Sequence, residues 1–240
     1  MTDQADQALA RRQEAMAIYD DNHEAGAIGR SQRWLSRLSW VLGDNAGAER
    51  YAAAAARALE PLPPGRELAM AWSNLAQLRM LADDNAPAVR SASRALRLAR
   101  ELGDREAETH ALNSLGVALW QSGELIEGSS RLRQSLDLAL ADDAHEHAAR
   151  AYTNLGSMSV RYRSYAEADR QLAAGISYTA DRDLDTWRLY MSAWLARSRA
   201  EQGRYDAARQ QAAAVLRHPQ LSGRAVLVAV PGRGAAAGFG

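Results

Sequence analysis

The sequence predicts an all-α protein, a solenoid of antiparallel helix pairs, and three observations lead to this prediction. Leucine recurs at an interval of 40 residues, which indicates a repeat protein. Small residues form two further columns in the same register. Alanine and leucine are abundant, whereas the β-branched and aromatic residues that favour strands are scarce. The periodic leucines are Leu35, Leu75, Leu115, Leu155 and Leu195.

The two columns of small residues predict where the helices of each pair cross. Side chains with little bulk let two helices approach closely, so we expect each repeat to be a helix pair that meets at its two small positions. The first column directly follows the leucines and consists of Ser36, Ala76, Gly116, Gly156 and Ala196. The second column lies thirteen residues after the leucines and consists of Ala48, Ala88, Gly128, Ala168 and Ala208.

The five predicted repeats extend from about residue 29 to residue 218. In the first repeat, Gly43-Asp44 marks the turn, and the proline cluster at 61–65 forms a stiff connector because it cannot continue a helix. In the second, we expect a helix from about Glu67 to Leu81, followed by a turn at Asp83-Asp84-Asn85. The sequence therefore predicts short, tight turns within each repeat.

The remaining repeats show the same order of helix, turn and helix. Their predicted turns lie at Gly123-Glu124, near Ser164 and at Gly203, and a glycine at such a place fits the end of a helix. The acidic pairs Asp83-Asp84 and Asp142-Asp143 lie at turns or helix starts, where we expect their carboxylates to cap free backbone N–H groups.

Both ends of the chain depart from the repeat. Residues 1–22 occupy the second-helix register of a preceding repeat, whose first helix is missing. Residues 219–240 contain Pro231 and several glycines, so we expect an irregular Gly/Ala-rich tail there. The predicted organisation is thus one helical repeat domain over 1–218, consisting of a half repeat and five repeats, and a tail.

Within each repeat, the pattern resembles the tetratricopeptide repeat. The residues that match this family are Trp72, Leu75, Ala76, Ala88, Ala95 and Leu96. The family's usual repeat has about 34 residues, so the helices or turns must be longer here. The lengthened repeats, with segments such as ARAYTNLG, are similar to the repeat region of large ATP-binding LuxR-type transcriptional regulators of bacteria. The resemblance covers roughly residues 1–220 and implies a right-handed superhelical α-solenoid.

That regulator family also implies an ATP-binding domain and a helix-turn-helix domain, and this sequence contains neither motif. A P-loop needs a lysine, and the chain has no lysine. No separate domain with a recognition helix follows the last repeat. We expect a severed or frameshifted remnant of a longer regulator, with the break near residue 221, or a free-standing adaptor.

Composition and charge exclude several classes of protein. The 29 basic and 29 acidic residues balance, so we expect neither direct DNA binding nor attraction to acidic membranes. The chain has no cysteine, no apolar signal core at its start and no run of about 20 apolar residues. These features favour a cytoplasmic protein.

The sequence does not favour a catalytic or metal site. His145 and His147 stand two residues apart on an expected helix, where they point in different directions and cannot share a metal. His23, His110 and His218 are isolated, and no nucleophile motif accompanies them. We therefore expect no enzyme, no metal and no cofactor.

The first helices of the repeats predict a binding groove, because the first helix of each pair lines the inner surface of such a solenoid. Arg150 and Arg197 could hold a carboxylate in a bidentate pair, and Asn74, Asn113 and Asn154 could bond the backbone of an extended peptide. The candidate groove residues are Arg33, Arg37, Gln77, His110, Asn113, Arg150, Thr153, Tyr190 and Arg197.

The leading functional hypothesis is a noncatalytic interaction module that binds a protein or peptide partner or associates with itself. We interpret it as the sensory or scaffolding region of a LuxR-type regulator lineage. The alternative is a sensor whose small-molecule or peptide ligand binds the concave groove. A nucleic-acid-binding solenoid ranks third because the net charge is zero.

Overall fold

Each 40-residue repeat forms two α-helices joined by a tight turn, as the sequence predicts. The structure is a computed structural model that describes residues 2–21 and 25–218. These ranges contain eleven α-helices and no strand, so the predicted all-α fold is confirmed. The helices are α1 (Thr2–Asp21), α2 (Ala25–Val41), α3 (Asn45–Leu59), α4 (Arg66–Leu81), α5 (Asn85–Leu102), α6 (Arg105–Gln121), α7 (Leu125–Ala141), α8 (His145–Arg161), α9 (Tyr165–Ala180), α10 (Asp185–Glu201) and α11 (Tyr205–Leu216). The predicted tail and His23 lie outside the described residues.

The even-numbered helices from α2 to α10 are the first helices of the five repeats, and the odd-numbered helices from α3 to α11 are the second helices. Within a repeat, α2 packs on α3, α4 on α5, α8 on α9 and α10 on α11. Neighbouring first helices also touch, since α2 contacts α4 and α8 contacts α10. Helix α1 packs against α2, on the side where the second helix of a preceding repeat would lie.

The chain divides within α6 into two compact units, which we call the N-terminal half (1–118) and the C-terminal half (119–240). In the N-terminal half, Leu75 of α4 packs on Ala52 and Ala56 of α3. In the C-terminal half, Leu195 of α10 packs in a cluster with Leu172. All five periodic leucines are buried, at most 7% exposed. The predicted extent of one repeat domain, over residues 1–218, stays a prediction.

The turn within each repeat uses one backbone conformation. The second residue after the first helix has a positive φ in all five repeats, between 57° and 93°. The following N–H groups then bond back to the helix end; in the second repeat Asp83 N donates to Met80 O and Asp84 N to Arg79 O, at 3.2 and 2.9 Å. The five turn residues are Gly43, Asp83, Gly123, Arg163 and Gly203.

One aspartate of each acidic pair adopts the positive-φ conformation of a turn. Asp84 stands at the N-cap of α5, but its side chain makes no capping hydrogen bond. Asp83 and Asp143 both adopt the left-handed conformation, which aspartate tolerates better than most residues. The expectation that these carboxylates cap helix N–H groups is therefore wrong for Asp84, whereas Asp44 does accept a bond from Gly47 N at 2.8 Å.

The small positions make room for large side chains of the neighbouring helix. A Cβ atom on Gly156 would lie 2.4 Å from Leu172 Cδ2 of α9. Leu172 comes one turn after the small Ala168, so the space at Gly156 is filled by the leucine. All the other positions of the two small-residue columns are buried as well: Ser36, Ala48, Ala76, Ala88, Gly116, Gly128, Ala196 and Ala208.

Candidate partner-binding surface

The nine predicted groove residues fall into two groups of different exposure. Arg37 is exposed, and Gln77 and Arg197 are partly exposed. The other six are buried, between 1% and 9% exposed: Arg33, His110, Asn113, Arg150, Thr153 and Tyr190. Only three of the nine predicted positions therefore offer a partner a substantial part of their side chain.

Buried polar side chains connect neighbouring first helices in the N-terminal half. Asn74 Nδ2 of α4 donates a hydrogen bond to Ser36 Oγ of α2 at 2.8 Å. His110 Nδ1 of α6 lies 2.6 Å from Ser73 Oγ of α4. Because both bonds are buried, removing one partner would leave a desolvated polar atom. His110 therefore lies between two helices and not in an open groove.

One face of α2 carries four residues that lie next to one another, and we call it the Arg–Trp patch: Arg30, Arg33, Trp34 and Arg37. Their spacing of three, four and seven residues places them on one side of the helix. Trp34 is 41% exposed, an unusual fraction for tryptophan in a described helix of this chain. The guanidinium carbons of Arg33 and Arg37 lie 5.2 and 5.3 Å from the centre of its ring, close enough for cation–π attraction.

The two arginines beside Trp34 differ in their partners. Arg33 is nearly buried, and its Nε lies 3.5 Å from Glu67 Oε2 of α4. Burial lowers the pKa of the Arg33 guanidinium; the charge of Glu67 opposes this effect, and that of Arg37 adds to it. Among the described residues, no carboxylate forms an ion pair with Arg37 or Arg30. The patch therefore presents positive charge around an exposed aromatic ring.

The C-terminal half contains a matching arrangement in which the tryptophan is covered. Trp194 of α10 is 2% exposed, and Tyr190 meets it edge-on with ring centres 6.3 Å apart. The guanidinium carbons of Arg161 and Arg197 lie 5.8 and 5.2 Å from the Trp194 ring. Arg197 Nε also donates to Glu201 Oε1 at 2.8 Å. Arg161 comes from α8, the neighbouring first helix.

Sequence reasoning missed Trp34 as a candidate, although a short motif marks it. The same four positions of the repeat are occupied by Trp34-Leu35-Ser36-Arg37 in the first repeat and by Trp194-Leu195-Ala196-Arg197 in the fifth. In both, the arginine three residues after the tryptophan stacks on its ring. The repeats between them have asparagine or serine in place of tryptophan. Comparing the repeats column by column would have found the pair.

The histidines of the described ranges do not gather around a metal site. No group of three His, Asp or Glu side chains in these ranges could hold a metal ion. His145 Nδ1 lies 2.9 Å from Tyr178 Oη, and His218 Nε2 lies 3.3 Å from Arg188 Nη2. None of the described helices combines the length and apolar character needed to cross a membrane.

No family model matches the sequence, and neither does any curated protein. Solved structures match its fold. A Rap protein complexed with competence and sporulation factor is 14% identical, with a TM-score of 0.73 over 85% of this chain, which spans 58% of that protein. The Rap conjugation gene regulator of plasmid pLS20, in complex with the Phr* peptide, is 15% identical, with a TM-score of 0.66 over 82% of this chain and 54% of that one.

A third similar structure is a signal-transduction ATPase with a tetratricopeptide repeat sensor from Pyrococcus horikoshii. It is 18% identical, with a TM-score of 0.58, and the match covers 85% of this chain and 32% of the ATPase. At such identities the likeness establishes the fold alone. The chain has the fold of tetratricopeptide-like helix pairs.

Proposed function

We propose that this chain is a noncatalytic module that binds a protein or peptide partner through the exposed face of its first helices. The observation that carries the proposal is the Arg–Trp patch, where an exposed tryptophan lies beside two guanidinium groups. Tryptophan and arginine are the residues most enriched among those that dominate binding energy at protein interfaces.

The fold supports a peptide or a protein as the class of binding partner. One similar structure is a Rap protein complexed with competence and sporulation factor, and another is a Rap regulator in complex with a peptide. Arg37, Gln77 and Arg197 are the predicted groove residues that reach the surface here. Because guanidinium and amide groups bond carboxylates and peptide backbone, the surface of α2 and α4 suits a polar segment with an apolar anchor.

Beyond the binding of a partner, we propose that the chain belongs to the lineage of LuxR-type regulators and acts as their sensory or scaffolding region. Its lengthened repeats support this assignment, as does the likeness to an ATPase whose sensor is a tetratricopeptide repeat region. We place the protein in the cytoplasm, since it has no cysteine. Translation of the DNA on both sides of the coding region tests the lineage. An ATP-binding or helix-turn-helix domain there supports it, and unrelated genes on both sides contradict it.

A displayed library of unconstrained peptides tests the binding function. We expect enriched peptides that bind the wild-type chain and bind at least tenfold more weakly after Trp34→Ala, Arg37→Ala or Gln77→Ala, all of which lie in the N-terminal half. Arg90 of α5 is exposed on a second helix, so Arg90→Ala is the matched control and should bind normally. Enrichment of no peptide, or of peptides that bind all variants equally, would show that this face is not a binding site.

A further inference from the structure

Two exposed apolar residues begin helix α7, in the C-terminal half. Ile126 is 88% exposed, more than any other large apolar side chain among the described residues, and Leu125 before it is 42% exposed. The other repeats have no large apolar side chain at the position of Ile126. They have Ala46, Ala86, Ala166 and Asp206 there. Because side chains that stay in water contribute little to folding, this departure from the repeat marks a candidate contact surface.

Tyr162 adds an aromatic ring to the same surface. Its hydroxyl donates a hydrogen bond to the carbonyl oxygen of Trp120 at 3.0 Å. The same oxygen accepts a bond from Gly123 N at 3.1 Å, so the Tyr162 hydroxyl lies at the turn that leads into α7. The rings of Tyr162 and Trp120 also meet, with centres 6.1 Å apart, and 39% of Tyr162 stays exposed. These contacts hold the ring in place beside the start of α7.

The turns before α7 and α9 each carry one charge that is not paired. Glu124 directly precedes Leu125, and its carboxylate makes no capping hydrogen bond. Arg163 directly follows Tyr162 and is exposed. In the described ranges, neither of these two charges forms an ion pair, whereas the nearby Glu127 pairs with its own helix. We call the following five residues the Ile126 patch: Glu124, Leu125, Ile126, Tyr162 and Arg163.

Arg163 keeps its side chain at a cost to the backbone. Its φ of 59° is in the left-handed region, and three other repeats have glycine at this position of the turn. Glycine adopts this conformation without strain, whereas an arginine does not. A strained residue whose side chain makes no ion pair within the described chain indicates a use outside the local fold.

We propose that the Ile126 patch binds the same patch of a second copy of this chain. In a two-fold pair, the turn with Glu124 faces the turn with Arg163 of the other copy, so two Glu–Arg pairs flank the apolar centre. The patch carries both signs of charge, and an acidic or a basic partner would leave one of them unpaired. Covering Leu125, Ile126 and Tyr162 removes apolar surface from water.

The dimer is weak and reversible, because the patch is much smaller than a standard interface. The inference goes beyond the proposed function, since the patch lies in the C-terminal half and outside α2 and α4.

Sedimentation equilibrium at increasing protein concentration tests the association. We expect a monomer of 26.1 kDa at low concentration and a dimer with a dissociation constant below about 100 µM. Ile126→Asp should raise this constant about tenfold or more, because it places two carboxylates in the apolar centre. The variant should fold normally, since Ile126 is exposed. Leu140, which is 37% exposed at the other end of α7, supplies the control, and Leu140→Asp should leave the constant unchanged.

Charge reversals test the two-fold arrangement. Glu124→Arg or Arg163→Glu alone places like charges opposite each other and should raise the dissociation constant about threefold or more. The double variant restores opposite charges and should dimerise like the wild type. Arg163→Gly separates folding from association: it should weaken the dimer, yet raise the melting temperature at a concentration where the protein is monomeric.

Three results would overturn the inference: a monomer at concentrations up to about 300 µM, a dimer that Ile126→Asp leaves intact, or single charge reversals whose effect the double variant does not cancel. Failure of this inference can be told apart from failure of the proposed function. Ile126→Asp should bind peptides selected on the wild-type chain normally, because those peptides contact α2 and α4.

Discussion

Trp34 and Trp194 occupy the same position of the repeat, four periods apart, and each has an arginine three residues later stacked on its ring. Trp194 is buried beside α8, whereas 41% of Trp34 is exposed beside α1. The difference in exposure comes from the neighbouring helix and not from the residue type. Repetition of one local motif thus produces a packed core contact in one repeat and an exposed ring in another.

The exposed tryptophan allows a direct comparison of the two sites. Trp194→Ala removes a buried ring and should lower the free energy of unfolding by about 3–5 kcal/mol. Trp34→Ala removes a partly exposed ring and should cost about 1 kcal/mol or less. Urea titrations followed by circular dichroism measure both. Equal losses at the two positions would contradict the different burial of the two rings.

The close contact at Gly156 predicts a cost for even the smallest side chain. Gly156→Ala places a Cβ atom 2.4 Å from Leu172 Cδ2, so the chain must shift and should lose about 1–3 kcal/mol of stability. Gly26 is the matched control because a Cβ atom there comes no closer than 3.7 Å to Arg30 Nη1. Gly26→Ala should be neutral or stabilise by up to about 1 kcal/mol. Thermal melts of both variants decide the matter, and a stable Gly156→Ala protein would show that the helices are further apart.

The positive φ of the turn residues predicts that replacing a turn residue by glycine increases the stability. Arg163 has φ 59° at a position where three other repeats have glycine. Since most side chains clash in this conformation, Arg163→Gly should stabilise by about 0.5–1 kcal/mol. Asp83→Gly should gain less because aspartate tolerates a positive φ. Conversely, Gly123→Ala should destabilise by about 1 kcal/mol at its φ of 93°. If Arg163→Gly lowers the melting temperature, the side chain has a role that the backbone geometry does not explain.

Asp169 predicts a pH-dependent part of the stability. Burial raises the pKa of this carboxyl, but bonds from Ser198 and Arg204 outweigh burial and leave the pKa below its usual value. A depressed folded pKa stabilises the protein above the unfolded pKa of about 4, and the contribution is lost as pH falls through the folded pKa.

Asp169→Asn should therefore cost about 1 kcal/mol or less at pH 7, because solvent screens its pair with the half-exposed Arg204, and the difference from wild type should shrink below about pH 4. Chemical unfolding at several pH values measures this dependence. The exposed Asp137 of α7 supplies the control, since Asp137→Asn should change the stability little at any of them. A loss for Asp169→Asn that is constant across pH would show that its charge is not responsible.

Leu155 tests the repeat register itself. It is fully buried in α8. Leu155→Ala should cost about 2–5 kcal/mol, and Leu115→Ala should cost a similar amount, because each leaves a cavity between helices. Leu125 is 42% exposed at the start of α7, and Leu125→Ala should cost far less. If the unfolding curves of the three variants coincide, the 40-residue period does not mark the core.

The sequence was sufficient to predict the helix pairs and most of their boundaries. The helix expected from Glu67 to Leu81 extends from Arg66 to Leu81. Its boundaries were predictable because the proline connector before it and the turn after it are both local features of the sequence. The turn conformation at Asp83 and Arg163 could not be predicted from residue type, since neither is a glycine. Their place in the 40-residue period is what imposes it.

The groove was less predictable, for a geometric reason. On a first helix, the side that faces the neighbouring first helix and the side that faces the groove are adjacent, and one residue turns the helix by about 100°. His110 and Thr153 fall on the buried side, whereas Arg37 reaches the surface. The exposure of Trp34 depends on which helix lies beside it, and no property of residue 34 reveals that.

The central claim is that the first helices of this chain bind a partner, and hydrogen–deuterium exchange with a selected peptide tests it most directly. The account predicts slower exchange of backbone amides in α2 and α4 when the peptide is bound, with the exposed sides of α3 and α5 unchanged. Protection confined to the second helices, or no protection at a saturating peptide concentration, would contradict it.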